Sequence, residues 1–405
     1  MVNIAILGYG TVGSGVAEVL QTNQSVINKK AGKEINIKYI LDLREFPGDP
    51  LESKLVNDYE IILSDSDVDI VVEVMGGVNP AYSFVKRALE AGKSVCTSNK
   101  ELVAAHGSEL LAIAREKNIN FLFEASCGGG IPIIRPLNSS LTADEIDEVT
   151  GILNGTTNYI LSKMFHQGSE FEDALKEAQE KGYAERNPAA DVEGFDACRK
   201  IAILSSLAFG YQVDYEDIYT EGITKITATD IAYAKKAGYT IKLLASSKKV
   251  GESCYAMVAP FLVNAEHPLY SVNDVYNAIY IHGNVLGSVM FYGSGAGKLP
   301  TASAVVADVV EAAKYLDTNL MTFWSSEKLN LTDISNSQGK YFVRLQGETT
   351  EALKIARETF GDIQQIEIEE VQAEIGFITE ELSEAEYRMK AEKLSGIISM
   401  LRLQR

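Results

Sequence analysis

Between residues 178 and 200 the chain reads AQEKGYAERNPAADVEGFDACRK, in which Glu185, Asp191, Glu193 and Asp196 alternate with Gly182, Pro188 and Gly194, and the segment closes on Lys200. Carboxylates at this density in a glycine-broken loop are usually just solvated. Asp196 and Lys200 stand apart from that pattern because they lie four residues apart on one face of a candidate helix, where the carboxylate holds the ammonium and tunes its proton affinity. A lysine so held can serve as a general acid or base, although the same spacing also describes an ordinary surface ion pair. A second lysine, Lys100 in TSNKE, follows a candidate strand. It is either a solvated loop lysine or a group at the carboxyl end of a parallel sheet, where open α/β folds bind ligands.

Such side chains need a scaffold, and the N-terminus supplies its signature. Residues 3–7 (NIAIL) form a short apolar run that ends in Gly8-Tyr-Gly10-Thr11-Val12-Gly13, followed by Val16, Ala17, Val19 and Leu20 at helical spacing. Strand, glycine turn and helix in this order place pyrophosphate on a helix N-terminus, the glycines allowing a tight turn and a close backbone approach. Ser98 and Lys100, at the end of a later strand, are also expected to contact the cofactor. Further strands are expected at 35–43, 69–75, 93–97 and 120–125, with helices at 81–91 and 101–117 between them. This alternation predicts a Rossmann-type, doubly wound parallel sheet. Asp42 and Arg44 (LDLRE) close the second strand. An acid there favours the ribose hydroxyls of NAD, an arginine favours the 2′-phosphate of NADP, and both are present.

The triple glycine 128–130 breaks the rhythm and marks a domain boundary. The first domain is assigned to 1–130, with 302–325 returning to pack on it, and a second, α+β catalytic and dimerisation domain to 131–301. That domain should hold long helices at 170–181, 197–209 and 229–246 and strands at 254–261 and 289–292. A polar stretch after residue 325 looks like a linker. Beyond it, 340–405 shows the order βαββαβ of a small ferredoxin-like module.

The chain has 37 basic and 56 acidic residues, a formal charge of −19. This opposes binding to nucleic acid or anionic membrane and leaves anionic ligands to local donors. Cys96, Cys127, Cys198 and Cys254 show no zinc-like or disulfide spacing, which fits a reducing compartment. With no signal-like N-terminus and no apolar stretch of membrane length, a cytoplasmic location is expected. His106, His166, His267 and His282 have neither metal-ligand spacing nor an evident Asp partner.

The spacing Ala178-x3-Gly182-Tyr-Ala-x2-Asn187-Pro-x2-Asp191-Val-x-Gly194-x-Asp196-x3-Lys200 resembles the homoserine dehydrogenase signature. The resemblance runs from the glycine fingerprint through Ser98-Asn99-Lys100, Glu124-Ala-Ser-Cys-Gly-Gly-Gly-Ile-Pro and Asn154-Gly-Thr-Thr-Asn-Tyr to Gly293-x-Gly295-Ala-Gly297-x2-Pro300-Thr301, covering about residues 1–325. It implies NAD(P)-dependent interconversion of L-homoserine and L-aspartate 4-semialdehyde in threonine and methionine biosynthesis. Lys200 would be the proton donor and acceptor and Lys100 would assist it. Glu185 and Asp196 would hold the substrate, Gly182 would contact it through its backbone, and Asp191 would support the polar network. Gly297 would meet the cofactor. The resemblance further implies a monovalent cation, sodium in most members, bound by oxygens of Glu124, Cys127, Gly129 and Ile131, a set of turn carbonyls with one carboxylate that suits a hard cation, and a homodimer or homotetramer.

The C-terminal module resembles the ACT domains of this family, for which threonine is the expected effector. It carries Gly347-Glu-Thr-Thr-Glu351 where an Asp-x-Pro-Gly-Val-like turn commonly precedes the helix, so a supporting role in assembly is the alternative. Three rival readings compete with the main one. Tyr159 and Lys163 form the Tyr-x3-Lys pair of short-chain reductases, but with the wrong glycine turn. Cys127 could be the thiolate of a semialdehyde dehydrogenase. The whole chain could be a non-catalytic dinucleotide and amino-acid sensor.

Overall fold

The computed structural model describes residues 1–369 and 371–404. The N-terminal sheet is wholly parallel, in the order Leu55–Val56, Ile35–Leu41, Val2–Leu7, Ile70–Glu73, Ser94–Thr97, Phe121–Leu122. Sequence order therefore reverses at the first strand, which opens a crevice at its carboxyl end. Alternation along Val2–Leu7 explains the layering. Ala5 and Leu7 pack with Val85, Leu89, Leu102 and Val103 of the helices Ala81–Glu90 and Lys100–Glu116 on one face. Val2, Ile4 and Ile6 pack with Val16 and Leu20 of the helix Thr11–Thr22 on the other. The helix Lys298–Lys314 joins that second face through Ala302, Val305, Val309 and Ala313. It approaches the first helix so closely that a Cβ on Gly15 would lie 2.9 Å from the Lys298 carbonyl oxygen.

A long mixed sheet forms the rest of the molecule. Its order is Gly287–Ser294, Tyr276–Gly283, Ile146–Ile152, Tyr239–Val250, Ser253–Asn264, Ile397–Leu403, Tyr341–Gln346, Glu374–Thr379, Ile363–Ile366. The last four strands, with the helices Thr349–Phe360 and Glu384–Ala391 on one face, make up the C-terminal βαββαβ unit. They do not form a sheet of their own, because Arg402 and Leu403 pair in parallel with Phe261 and Leu262.

Several expectations need correction. The segment 229–246 is not one helix: the helix Ala228–Lys236 stops before Gly238, at φ +81°, and the chain continues as the strand Tyr239–Val250. Apolar residues occur at both periods there, and pairing on both edges, with Ser253–Asn264 and Ile146–Ile152, selects the strand. The strand at 120–125 shrinks to Phe121–Leu122, because 124–126 wind into a 3-10 turn, and the strand at 35–43 ends at Leu41. The polar stretch after 325 is packed down: Lys328 pairs with Asp214 at 3.0 Å and Asp217 at 2.8 Å, and Thr332 donates its backbone N–H to Cys254. His282 does have an Asp partner, Asp147 at 2.7 Å, on the surface. No helix among the described residues is long and apolar enough to cross a membrane.

Candidate active site

Lys100 owes its place to a network of caps. Thr97, at the end of its strand, donates to the buried Glu73 carboxylate at 2.6 Å and accepts from the Asn99 N–H at 3.0 Å. Asn99 then caps the helix Lys100–Glu116, accepting from the Leu102 N–H at 3.1 Å and tying Gly77 with its amide at 2.6 Å. The first residue of that helix is thereby aimed at the second domain. Lys200 comes from the other side, on the helix Phe195–Phe209, which begins after Gly194 at φ +86°.

The two lysines meet at one carboxylate. Asp196 Oδ1 lies 3.0 Å from Lys100 Nζ, and Oδ2 lies 2.7 Å from Lys200 Nζ. Lys200 also donates to the Leu153 carbonyl at 2.8 Å. Asn154 completes the cluster: its amide nitrogen bridges Asp191 Oδ1 at 2.7 Å and Asp196 Oδ2 at 2.8 Å, while its Oδ1 caps the helix Gly155–Gln167 through the Thr157 N–H. Burial alone would raise the Asp196 carboxyl, but Lys200 and Lys100 hold it well below the usual carboxylate range. Asp196 in turn raises Lys100 against the effect of burial. Asp191 is shifted the other way, upward, by burial and by the charge of Asp196.

These groups line a cleft of about 520 Å³ between the two domains, together with Val12, Ser98, Gly129, Gly182, Glu185 and Gly297. Glu185 is exposed, whereas Asp196 is buried with both oxygens engaged by the lysines and Asn154. Asp196 thus does not offer a free carboxylate to the cleft. Asn154, Thr156, Tyr183 and Ser294–Ala296 also line it, and to these the sequence reading assigned no role. Asn154 was detectable as an N-cap before a helical stretch, but its bridge to two carboxylates far along the chain was not.

The glycine turn leads into the same cleft. Gly8 is at φ +97°, and a Cβ on Gly13 would fall 1.9 Å from the Gly8 carbonyl oxygen. Gly10 is the N-cap of the helix Thr11–Thr22 and gives it no side-chain cap, so the helix N-terminus faces the turn with its own donors and suits a phosphate. Opposite, Asp42 accepts from the Tyr9 N–H at 2.8 Å and from Arg44 Nε and Nη2 at 2.9 and 2.8 Å. The hydrogen bond from Arg44 holds the Asp42 carboxyl well below the usual range. Arg44, largely exposed, stands at the rim near Gly10.

Beside the cleft, Gly128 and Gly129 turn the chain at φ +69° and +56° between Cys127 and Ile131. The Glu124 carboxylate, expected to face a cation, is spent elsewhere: it accepts from the N–H groups of Ile133, Ile134 and Arg135 at 2.5, 2.8 and 2.9 Å. Main-chain oxygens of the turn are what this segment can offer a hard monovalent ion. Cys127 is fully buried, and burial pushes its thiol up to about 12, which argues against a thiolate nucleophile. Tyr159 is also buried, with its hydroxyl donated to Glu177 at 2.7 Å, away from the cleft.

A parallel sheet reversing at a glycine-turned first strand, with a lysine–carboxylate cluster across the crevice, defines a nicotinamide-dependent oxidoreductase. The family model described as "Homoserine dehydrogenase, NAD binding domain" matches residues 8–124, and the one described as "Homoserine dehydrogenase" matches 132–310. The chain belongs to the homoserine dehydrogenase family. It is 44% identical over 316 residues to homoserine dehydrogenase of Bacillus subtilis, covering 77% of this chain and 73% of that one. With the Helicobacter pylori enzyme it shares 44% over 345 residues, 85% of this chain and 81% of the relative. The crystal structure of a homoserine dehydrogenase from Thiobacillus denitrificans superposes with a TM-score of 0.88 at 34% identity, covering 100% of this chain and 98% of that one. A hyperthermophilic archaeal homoserine dehydrogenase in complex with NADPH gives 0.66 at 31%, covering 77% and 97%.

Proposed function

We propose that this chain is a homoserine dehydrogenase that interconverts L-homoserine and L-aspartate 4-semialdehyde, with Lys200 as the general acid and base. The observation that carries the reading is the Lys100–Asp196–Lys200 bridge inside the inter-domain cleft. A bound nicotinamide supplies or accepts the hydride at the substrate carbon. In the reducing direction the Lys200 ammonium donates its proton to the aldehyde oxygen as that oxygen gains charge. In the oxidising direction the neutral amine takes the hydroxyl proton. Lys100 shares the Asp196 counter-charge and keeps a positive field over the developing alkoxide. Glu185 and Asp191 are the carboxylates placed in the cleft to receive the substrate ammonium, Asp191 with one oxygen already accepting from Asn154 and with its carboxyl raised by burial and by Asp196, which a cation beside it would offset.

The cofactor fits the Gly8–Gly13 turn, and Arg44 favours the 2′-phosphate of NADP because Asp42 is already engaged by its neighbours. A monovalent cation is assigned to main-chain oxygens of Glu124, Cys127, Gly129 and Ile131, where it would stiffen the turn flanking the cleft. The C-terminal unit is taken as an ACT-like module, a reading its strand order supports. A homodimer or homotetramer is supported by the exposed Val285, Leu286, Met290 and Tyr292 on one edge hairpin.

The test is homoserine-dependent reduction of NADP and NAD, in sodium and in potassium, by the wild type and Lys200→Ala. Loss of a placed acid/base should lower kcat by roughly 10²–10⁴-fold with cofactor binding retained. A wild type inactive on homoserine with both cofactors would overturn the assignment.

A further inference from the structure

The strand Ser253–Asn264 pairs along one edge with Tyr239–Val250, and its other edge is covered by two segments in succession. Tyr219 and Thr220 pair with Met257 and Val258, and then Arg402 and Leu403 pair with Phe261 and Leu262. The C-terminal unit is fastened to the second domain here by two arginines, each 5% exposed. Arg344 joins Asp230 at 2.9 Å to Glu374 at 2.8 Å. Arg402 grips Glu384 with Nε at 3.0 Å and Nη2 at 2.8 Å, and its remaining Nη1 reaches Glu221 at 2.9 Å.

These two fastenings differ in what lies behind them. Asp230 sits on the helix Ala228–Lys236. Glu221, by contrast, adjoins Gly222, which presses on the acidic segment so closely that a Cβ there would stand 2.2 Å from the Val192 carbonyl oxygen and 2.5 Å from Glu193 Cα. The Ile223 N–H donates to that same Val192 oxygen at 2.8 Å. Gly194 closes the contact, since a Cβ there would lie 3.1 Å from Val258 and 3.2 Å from Thr220. Asp191 and Asp196 flank these touching residues on either side.

We propose that Arg402 is a positioning residue for the substrate site: through Glu221 it fixes 219–223, the bed on which 191–196 lies, and so sets where Asp191 and Asp196 stand relative to Lys200 and Lys100. A guanidinium with three anchored nitrogens is a rigid fork, and a backbone-to-backbone contact with no room for a methyl group passes displacement on instead of absorbing it. Misplacing catalytic groups by about 1 Å can cost on the order of 10²-fold in rate.

The decisive variant is Glu221→Ala, which cuts the path at a partly exposed side chain and leaves the buried Arg402–Glu384 pair intact. Arg402→Met is the second variant, and Arg344→Met is the control that breaks an equally buried fastening without touching the bed. Glu221→Ala and Arg402→Met should each lower kcat/KM for homoserine at least tenfold while KM for NADP stays within twofold of wild type. Arg344→Met should lower the melting temperature but leave kcat/KM for homoserine within twofold. The proposal fails if Glu221→Ala keeps wild-type kcat/KM, or if Arg344→Met reduces it as much as Arg402→Met does. The kinetic arm rests on the homoserine assignment, so amide hydrogen exchange over 189–196 is measured on the same samples. Faster exchange in Glu221→Ala is expected whether or not homoserine is turned over, and unchanged protection overturns the proposal independently of that assignment.

Discussion

Lys200 and Asp196 lie on one helix with Nζ and Oδ2 2.7 Å apart, and the same carboxylate holds Lys100 3.0 Å away through its other oxygen. One negative charge therefore balances two ammonium groups. Asp196→Asn keeps the shape and removes the charge, and it should lower kcat by roughly 10²-fold or more through loss of acid/base geometry. Because Asp196 raises Lys100 while burial opposes it, the variant's Lys100 should titrate at lower pH. The alkaline decline of semialdehyde reduction should then move to lower pH, as a pH–rate profile would show. An unshifted profile would mean that Lys100 does not contribute to the rate.

Asn154 does two separable things, capping a helix and bridging two carboxylates. Asn154→Ser keeps a cap and loses the bridge, so it should lower thermal stability less than Asn154→Ala, which removes both. The lost hydrogen bonds to charged groups, about 1.5–3 kcal/mol, should lower kcat/KM for homoserine roughly 10–100-fold. A loss of stability without a loss of kcat/KM would assign Asn154 to the cap alone.

Arg44 both occupies Asp42 and stands at the cofactor rim. Arg44→Ala should raise KM for NADP about tenfold or more, equivalent to about 1.4 kcal/mol or more of lost binding. It should also improve NAD, because the freed Asp42 can accept from the ribose hydroxyls. Steady-state kinetics with each cofactor decides this, and equal effects on both would rule out a discriminating role for Arg44.

Lys242 is buried against Asn158, Val272 and Asn273, and burial pushes it down to about 7. Between that value and the ordinary lysine value of about 10.4, the unfolded chain carries a proton that the folded chain lacks. Stability therefore rises with pH across this window, by at most about 1.4 kcal/mol per unit. Denaturant unfolding of wild type and Lys242→Met at several pH values between 7 and 9.5 should show the wild type gaining on the variant as pH rises. Parallel curves would show that Lys242 is charged in the folded state.

Much of the site was written in local sequence. The turn at Gly8–Gly13, the i,i+4 pair Asp196–Lys200 and the strand-end Lys100 could be recognised because each depends on near neighbours and on a fixed period. The same locality explains the error at 229–246, where helical and strand periods overlap and pairing with the distant strands Ser253–Asn264 and Ile146–Ile152 chooses between them. It also explains why the Glu124 carboxylate looked free: the three backbone donors that occupy it become apparent only when 133–135 fold back.

By itself the sequence determined the residue types, the glycine turn and the alternation that makes a parallel sheet, all consequences of backbone geometry and hydrophobic period. Only the tertiary structure decided that Lys100 and Lys200, from different domains, share one carboxylate, and that Arg402 reaches Glu221 behind the acidic segment. The contacts join Lys100 to Asp196 and Arg402 to Glu221, pairs far apart in the chain, and such pairs are set by how the faces of whole elements bury against one another, which no local spacing encodes.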